Sequence, residues 1–356
     1  LAWTWPTEIV LLRDLVAVPS VSGTEETIGR FVEETAREWG LGVSRGGDGV
    51  LVTVESGAPG PSLGFVSHLD TVPAGEGWVR PPFEPVIEGT LLYGRGSGDA
   101  KASVAAMLVA ARDLAQSKGW RGKLQLLLGY GEETKHTSMP ELAARAGRLD
   151  AAVVGEPTNL QAAVAQRGLL MAELIARGDQ RHAGYAGESA FRNSITLLAR
   201  ELVKLEGLLD ERVHPVLGVT TVTATMLEAG VSRNVTPPVA KAVLDVRSTP
   251  SWTHQEIGAA LKQRLGCEVV ITSERLVPCE TPADSGLLAA ARRVRPELQT
   301  FGSPTCSDWV FVRDTDAIKC GAGTSRKSHT PDECVDLAEV TAAREFYLEL
   351  AREYLR

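Results

Sequence analysis

Three short apolar runs in the first half of the chain, at 63–66, 124–128 and 151–154, each stop within a few residues of a histidine or an acidic side chain. Runs this short, bounded by Gly, Pro or charge, are what strands of a covered sheet require. A fourth run lies at 50–54. Between them, residues 101–114 are apolar on nearly all sides, which predicts a buried helix. Upstream, Ile28, Phe31, Val32 and Trp39 share a face at helical spacing. Ser22 and Glu25 stand where a capping box would, and Gly40 where a helix would stop. Alternating helix and strand signals predict an α/β fold class.

The character changes after Gln166. A strand signal at 169–176 is followed by a helix signal at 191–205, strands at 219–227 and 239–246, a helix at 251–265 opened by Ser251, and a strand at 268–272. That order is the split βαβ pattern of a small α+β domain. Past Arg275 the α/β alternation resumes, with a short strand at 317–320. A final amphipathic helix carries Val340, Ala343, Tyr347 and Leu350 on one side. The expected organisation is one α/β domain, residues 1–166 and 276–356, interrupted by an inserted domain at 167–275.

A chain of 356 residues exceeds one typical core, in keeping with two domains. The net charge of −8 argues against nucleic acid as a partner, because phosphate neutralisation needs a basic surface. No apolar run approaches the roughly 20 residues of a membrane span. Leu1 to Pro6 lack the pattern of a secretory signal. The five cysteines, Cys267, Cys279, Cys306, Cys320 and Cys334, form no CxxC pair and fit a reducing, cytoplasmic compartment.

In SHLDTVP, His68 and Asp70 directly follow the 63–66 run; imidazole ligates zinc well, and a neighbouring carboxylate fixes its tautomer. A satisfied histidine at a strand end is the alternative. In YGRGSGDAK, Asp99 closes a glycine-rich turn before the buried helix, whose N-terminus favours a negative group. The turn fits neither a dinucleotide fingerprint nor a P-loop, because Asp99 stands at the third glycine and Asp-Ala-Lys replaces Gly-Lys-Ser/Thr. In GYGEETKH, Glu132 and Glu133 follow a strand, so at least one is expected at the sheet's carboxyl edge. The two suit separate duties, one on a metal and one moving protons. A solvated charge run is the alternative. Glu156 in VVGEPTN also follows a strand, and His329 in SHTPDE follows the last one. Histidine and carboxylate without thiolate is a catalytic rather than a structural metal set. His136, His214 and His254 have no motif support and are assigned to surface or structural roles.

The succession HxD, GRGxxDxK, GEE, GEP and a late histidine resembles the family of acetylornithine deacetylases, succinyl-diaminopimelate desuccinylases, aminoacylases and related carboxypeptidases, over almost the whole chain. The resemblance implies a zinc-peptidase-like domain with helices on both faces of a mixed sheet, interrupted by a ferredoxin-like lid that forms a homodimer. It implies two zinc ions per subunit, with cobalt as a substitute. His68 and Glu156 would hold one ion, Glu133 and His329 the other, and Asp99 would bridge them. Asp70 would orient His68 and Glu132 would be the general base. His182 would reach a partner's active site as oxyanion donor, although the small-hydroxyl tail usual after that histidine is missing. Asn234 and Arg247 would hold the substrate. From the wording GYGEET, VVGEPT and SPTCSD, deacetylation of N-acetyl-ornithine, N-acetyl-citrulline or N-acetyl-lysine is expected. The alternatives are a desuccinylase, a dipeptidase or carboxypeptidase, a catalytically silent ligand-binding relative, and a nucleotide-binding enzyme.

Overall fold

The computed structural model describes residues 5–186 and 190–356, so most of the terminal stretch read for a signal lies outside the described residues. The chain forms two compact units, one of residues 1–164, 281–301 and 307–356, the other of residues 165–280 and 302–306.

The first unit is built on a mixed sheet in the order Gly42–Gly46, Gly49–Glu55, Lys123–Gly129, Ser62–His68, Ala151–Val154, Asp316–Lys319 and Ala162–Gln166. Four neighbouring strands, Lys123–Gly129 through Asp316–Lys319, run parallel. Their register aligns His68 with Gly129, and Val154 with both Val66 and Lys319. The carboxyl ends of the four strands therefore share one edge, where open α/β sheets gather ligands.

The sheet is buried on both faces. Phe65, Leu126 and Val153 join the large core formed with Leu12, Val104, Leu108 and Val340. The alternate residues Val66, Leu127 and Val154 are equally buried and, by the two-residue period of a strand, point the other way. The expected helix at 101–114 is Lys101–Ala115, buried on nearly all sides between the sheet and the C-terminal helix Leu337–Tyr354. No helix among the described residues is long and apolar enough to cross a membrane.

The second unit carries a four-stranded antiparallel sheet in the order Thr221–Ala229, Val239–Ser248, Gly168–Arg177, Glu268–Leu276. Leu170, Leu174, Leu244 and Val246 form its core with Leu198 of helix Ser194–Leu202 and Ile257 and Leu261 of helix His254–Arg264. The chain order βαββαβ with spatial strand order 2-3-1-4 is the ferredoxin-like arrangement. Thr221–Ala229 is an edge strand, with Met226 and Leu227 exposed.

Two local expectations change. Ser22 does not cap a helix: helix Glu26–Glu38 starts at Glu25 with no side-chain cap, and the Ser22 hydroxyl donates instead to Asp70 Oδ2 at 2.7 Å. Helix His254–Arg264 is capped by Thr253, not Ser251, because Thr253 and Glu256 complete a reciprocal capping box. His136, His214 and His254, expected in surface or structural roles, are buried, each with a polar partner that offsets desolvation: Asp308, Glu280, and Ser248 with the Glu274 carbonyl. The five cysteines are free thiols.

Candidate active site: a carboxylate between two histidines

Strand ends and one glycine turn bring seven of the predicted side chains together. His68 ends its strand, Glu132 and Glu133 follow the end of Lys123–Gly129, and Glu156 follows the end of Ala151–Val154. Asp99 sits two residues ahead of helix Lys101–Ala115, next to its N-cap Ala100. The turn before it needs Gly96, whose φ is +83° and where a Cβ would lie 2.7 Å from the Thr71 methyl carbon.

Asp99 divides its carboxylate between two histidines. Its Oδ1 lies 3.3 Å from His68 Nε2 and its Oδ2 lies 3.6 Å from His329 Nε2. His329 Nε2 also meets Glu133 Oε2 at 2.8 Å, and His68 Nε2 meets Glu156 Oε1 at 3.8 Å. Donor atoms of His68, Asp99 and Glu133 all fall within 4.8 Å of one another.

Asp70 ties the cluster from behind. His68 Nδ1–H donates to the Asp70 carbonyl at 3.0 Å, so Nε2 is the nitrogen turned to Asp99. The Asp70 carboxylate accepts the backbone N–H groups of Glu132 at 3.0 Å and Glu133 at 3.1 Å. One fully buried residue thus orients the histidine through its carbonyl and the acidic loop through its carboxylate.

The electrostatics are those of crowded negative charge. Burial works to raise the Asp70 carboxyl, but the hydrogen bonds from His68 and Ser22 outweigh it and hold it at about 2. Burial alone would lower the His68 imidazole, yet its bonds to Asp70 and Asp99 keep it well above its ordinary value. Glu156 is pushed up to about 8, first by burial and then, against the pull of His68, by the charge of Asp99. Burial and the Glu156 charge raise Glu132 well above the usual carboxylate range. Glu156 Oε1 is buried and makes no hydrogen bond. Buried carboxylates this close demand a compensating charge. The donor set of two imidazoles and several carboxylates fits divalent cations of the zinc type.

Sequence reasoning missed the struts. Glu333, four residues after His329 in SHTPDE, is 1 % exposed. It accepts N–H groups from Gly96 at 3.1 Å, Gly98 at 2.9 Å and Asp99 at 3.0 Å, and pairs with Arg95 at 2.7 Å. Lys101, also fully buried, donates to the carbonyls of Leu15 and Val18. Arg95 and Lys101 lie inside the GRGSGDAK motif, so charged residues in a glycine turn ahead of an apolar helix were the available signal.

The other three predicted residues belong to the second unit. His182 is exposed, pairs with Val235 in a two-stranded ribbon, and accepts the Gly184 N–H at its Nδ1. Asn234 lies beside that ribbon, with its carbonyl accepting the Ala183 N–H at 2.8 Å. Arg247 is held bidentately by Asp245, with Nε–Oδ1 2.8 Å and Nη2–Oδ2 3.0 Å.

Comparison with known proteins agrees with this architecture. Residues 64–353 match the profile of Peptidase family M20/M25/M40. The chain is 29 % identical to the succinyl-diaminopimelate desuccinylase of Methylobacterium radiotolerans, over 95 % of this chain and 94 % of that protein. In structure it is similar to the aminopeptidase PepT of Bacillus cereus, with a TM-score of 0.82, 19 % identity and 98 % of each chain covered. It is also similar to the Bacillus subtilis protein YXEP, a dinuclear metal-binding peptidase of the M20 family, with a TM-score of 0.74, 17 % identity, and 98 % and 97 % of the two chains covered.

Proposed function

The chain belongs to peptidase family M20/M25/M40 and is an enzyme that hydrolyses amide bonds, and on that premise we propose that it uses two zinc ions to remove the N-succinyl group from a small amino acid of the diaminopimelate kind. The observation that carries the two-metal reading is the division of the Asp99 carboxylate between His68 and His329. The relative described as dinuclear agrees with it. His68 and Glu156 would hold one ion, Glu133 and His329 the other, and Asp99 both. Bound there, the cations would polarise the amide carbonyl and lower the pKa of water from 15.7 to about 7.

The protein's own groups do the rest. Asp70 fixes the His68 ring and, through two backbone N–H groups, the loop that carries Glu132. Glu132 takes a proton from the attacking water and returns it to the leaving amine. Its raised affinity for protons suits both halves of that exchange. The second unit would act as a lid and, through the exposed edge strand Thr221–Ala229, as the homodimer surface. His182 would reach the partner's site as oxyanion donor. Asn234 and Arg247 would grip substrate, a carboxylate displacing Asp245 from the guanidinium.

The succinyl reading moves ahead of the N-acetyl-ornithine reading drawn from motif wording, because relatives covering 95 % or more of this chain are described as desuccinylases. A panel of N-succinyl and N-acetyl amino acids, assayed with the zinc-loaded protein, tests the choice. Preferential cleavage of the succinyl compounds is expected; preferential cleavage of N-acetyl-ornithine would reverse it. Glu132→Gln should keep its zinc while kcat falls roughly 10²–10⁴-fold. Loss of the two tightly held zinc ions in that variant would instead make Glu132 a ligand of the pair that Asp99 bridges.

A further inference from the structure

A second group of donor atoms converges on Glu132. His136 Nδ1 lies 3.0 Å from Asp308 Oδ1 and 3.7 Å from Glu132 Oε1, and the three donor atoms fall within 4.8 Å of one another. Four ligand atoms at about 2.0–2.1 Å from a tetrahedral ion stand roughly 3.3 Å apart. The two measured separations, 3.0 and 3.7 Å, bracket that value.

The site is built rather than incidental. Asp308 is 2 % exposed, at the start of the short helix Asp308–Val312, and the His136 ring lies against Phe311. Glu132 is 8 % exposed, and its Oε1 stands 3.7 Å from His136 Nδ1, just beyond hydrogen-bond distance. Two carboxylates and an imidazole crowded together in the interior are a costly arrangement unless something charged joins them. Two carboxylates and one neutral imidazole carry the charge that one divalent cation cancels.

We infer that Glu132, His136 and Asp308 form a weaker, third divalent-cation site whose occupation switches the enzyme off. Entry of the ion displaces the Nδ1 proton of His136 to solvent, and the neutral ring takes a proton from solvent at Nε2; Nδ1, Asp308 Oδ1 and Glu132 Oε1 then ligate. The inhibition rests on the proposed role of Glu132 as general base: a carboxylate whose charge a cation neutralises is a much weaker base towards water. The binding itself does not rest on that role.

The test is zinc titration of the full-length, zinc-loaded protein, reading bound zinc by equilibrium dialysis and kcat in parallel. The wild type should show a binding event weaker than the tight ones, with kcat falling at least tenfold as it saturates. His136→Gln should weaken that event by at least about 10–100-fold, the loss that removal of even a ligand-orienting group causes, leaving the tight zinc in place and moving the inhibitory concentration by the same factor. Asp308→Asn provides the same readout should His136→Gln fail to fold. Absence of a weaker event, or its persistence at unchanged affinity in the variants, would overturn the site. Saturation with kcat unchanged would overturn the inhibitory role. A wild type without hydrolase activity at any zinc concentration would sink the reading of Glu132 as base, while the dialysis still decides whether the site exists.

Discussion

Glu333 Oε1 accepts the backbone N–H of Asp99 at 3.0 Å, so the residue four positions after one histidine of the cluster holds the carboxylate between both histidines in place. The same side chain takes the N–H groups of Gly96 and Gly98 and the Arg95 guanidinium, all in the interior. The two loops that supply Asp99 and His329 are thus locked together by one buried carboxylate.

Glu333→Gln should therefore weaken zinc binding without touching a donor atom. The expected loss is about 10–100-fold, the usual effect of removing a group that orients ligands. Arg95 would be left as an uncompensated buried charge, which costs about 3–5 kcal/mol of stability. Competition against a chelator reads the first and denaturant unfolding the second. An unchanged zinc affinity would mean that the glycine turn holds Asp99 unaided.

Zinc removal should couple stability to pH. In the metal-free protein Glu156 titrates at about 8, against an ordinary value of 4.5. Between those values the folded state holds a proton that the unfolded chain has released, so stability falls as pH rises from about 4.5 to about 8. Rebinding of zinc should expel that proton near neutral pH and remove the slope. Thermal unfolding across this window, with and without zinc, measures it. Parallel curves for the two forms would show that Glu156 is not part of the cation site.

Mixed dimers test whether His182 works across subunits. Glu132→Gln and His182→Ala homodimers should both be nearly inactive. Randomly mixed at equal amounts, they should recover roughly a quarter of the wild-type sites, since half the dimers would be mixed, each with one site intact. No recovery in verified heterodimers would confine His182 to its own subunit or to no catalytic part. Leu227→Lys on the exposed edge strand should shift the protein towards monomer and abolish the recovery, read by sedimentation.

The periodicity of apolar residues determined the elements, because strands covered on both faces and a helix buried all round need those patterns to escape water. Motif wording likewise marked His68, Asp70, Asp99, Glu132, Glu133, Glu156 and His329, since chemistry at a sheet's carboxyl edge falls just after apolar runs. What the sequence could not supply was partnership between distant segments. Ser22 looks like a helix cap by local spacing, yet Asp70, 48 residues on, takes its hydroxyl. His136 has no motif of its own and acquires a role only because Asp308, 172 residues later, is folded against it. Glu333 reads as surface acid until the fold turns it onto the Asp99 loop. Spacing along the chain governs which backbone forms locally. Only tertiary packing decides which buried charge finds its counterpart, because the desolvation that makes such a pairing matter does not exist until the core has closed.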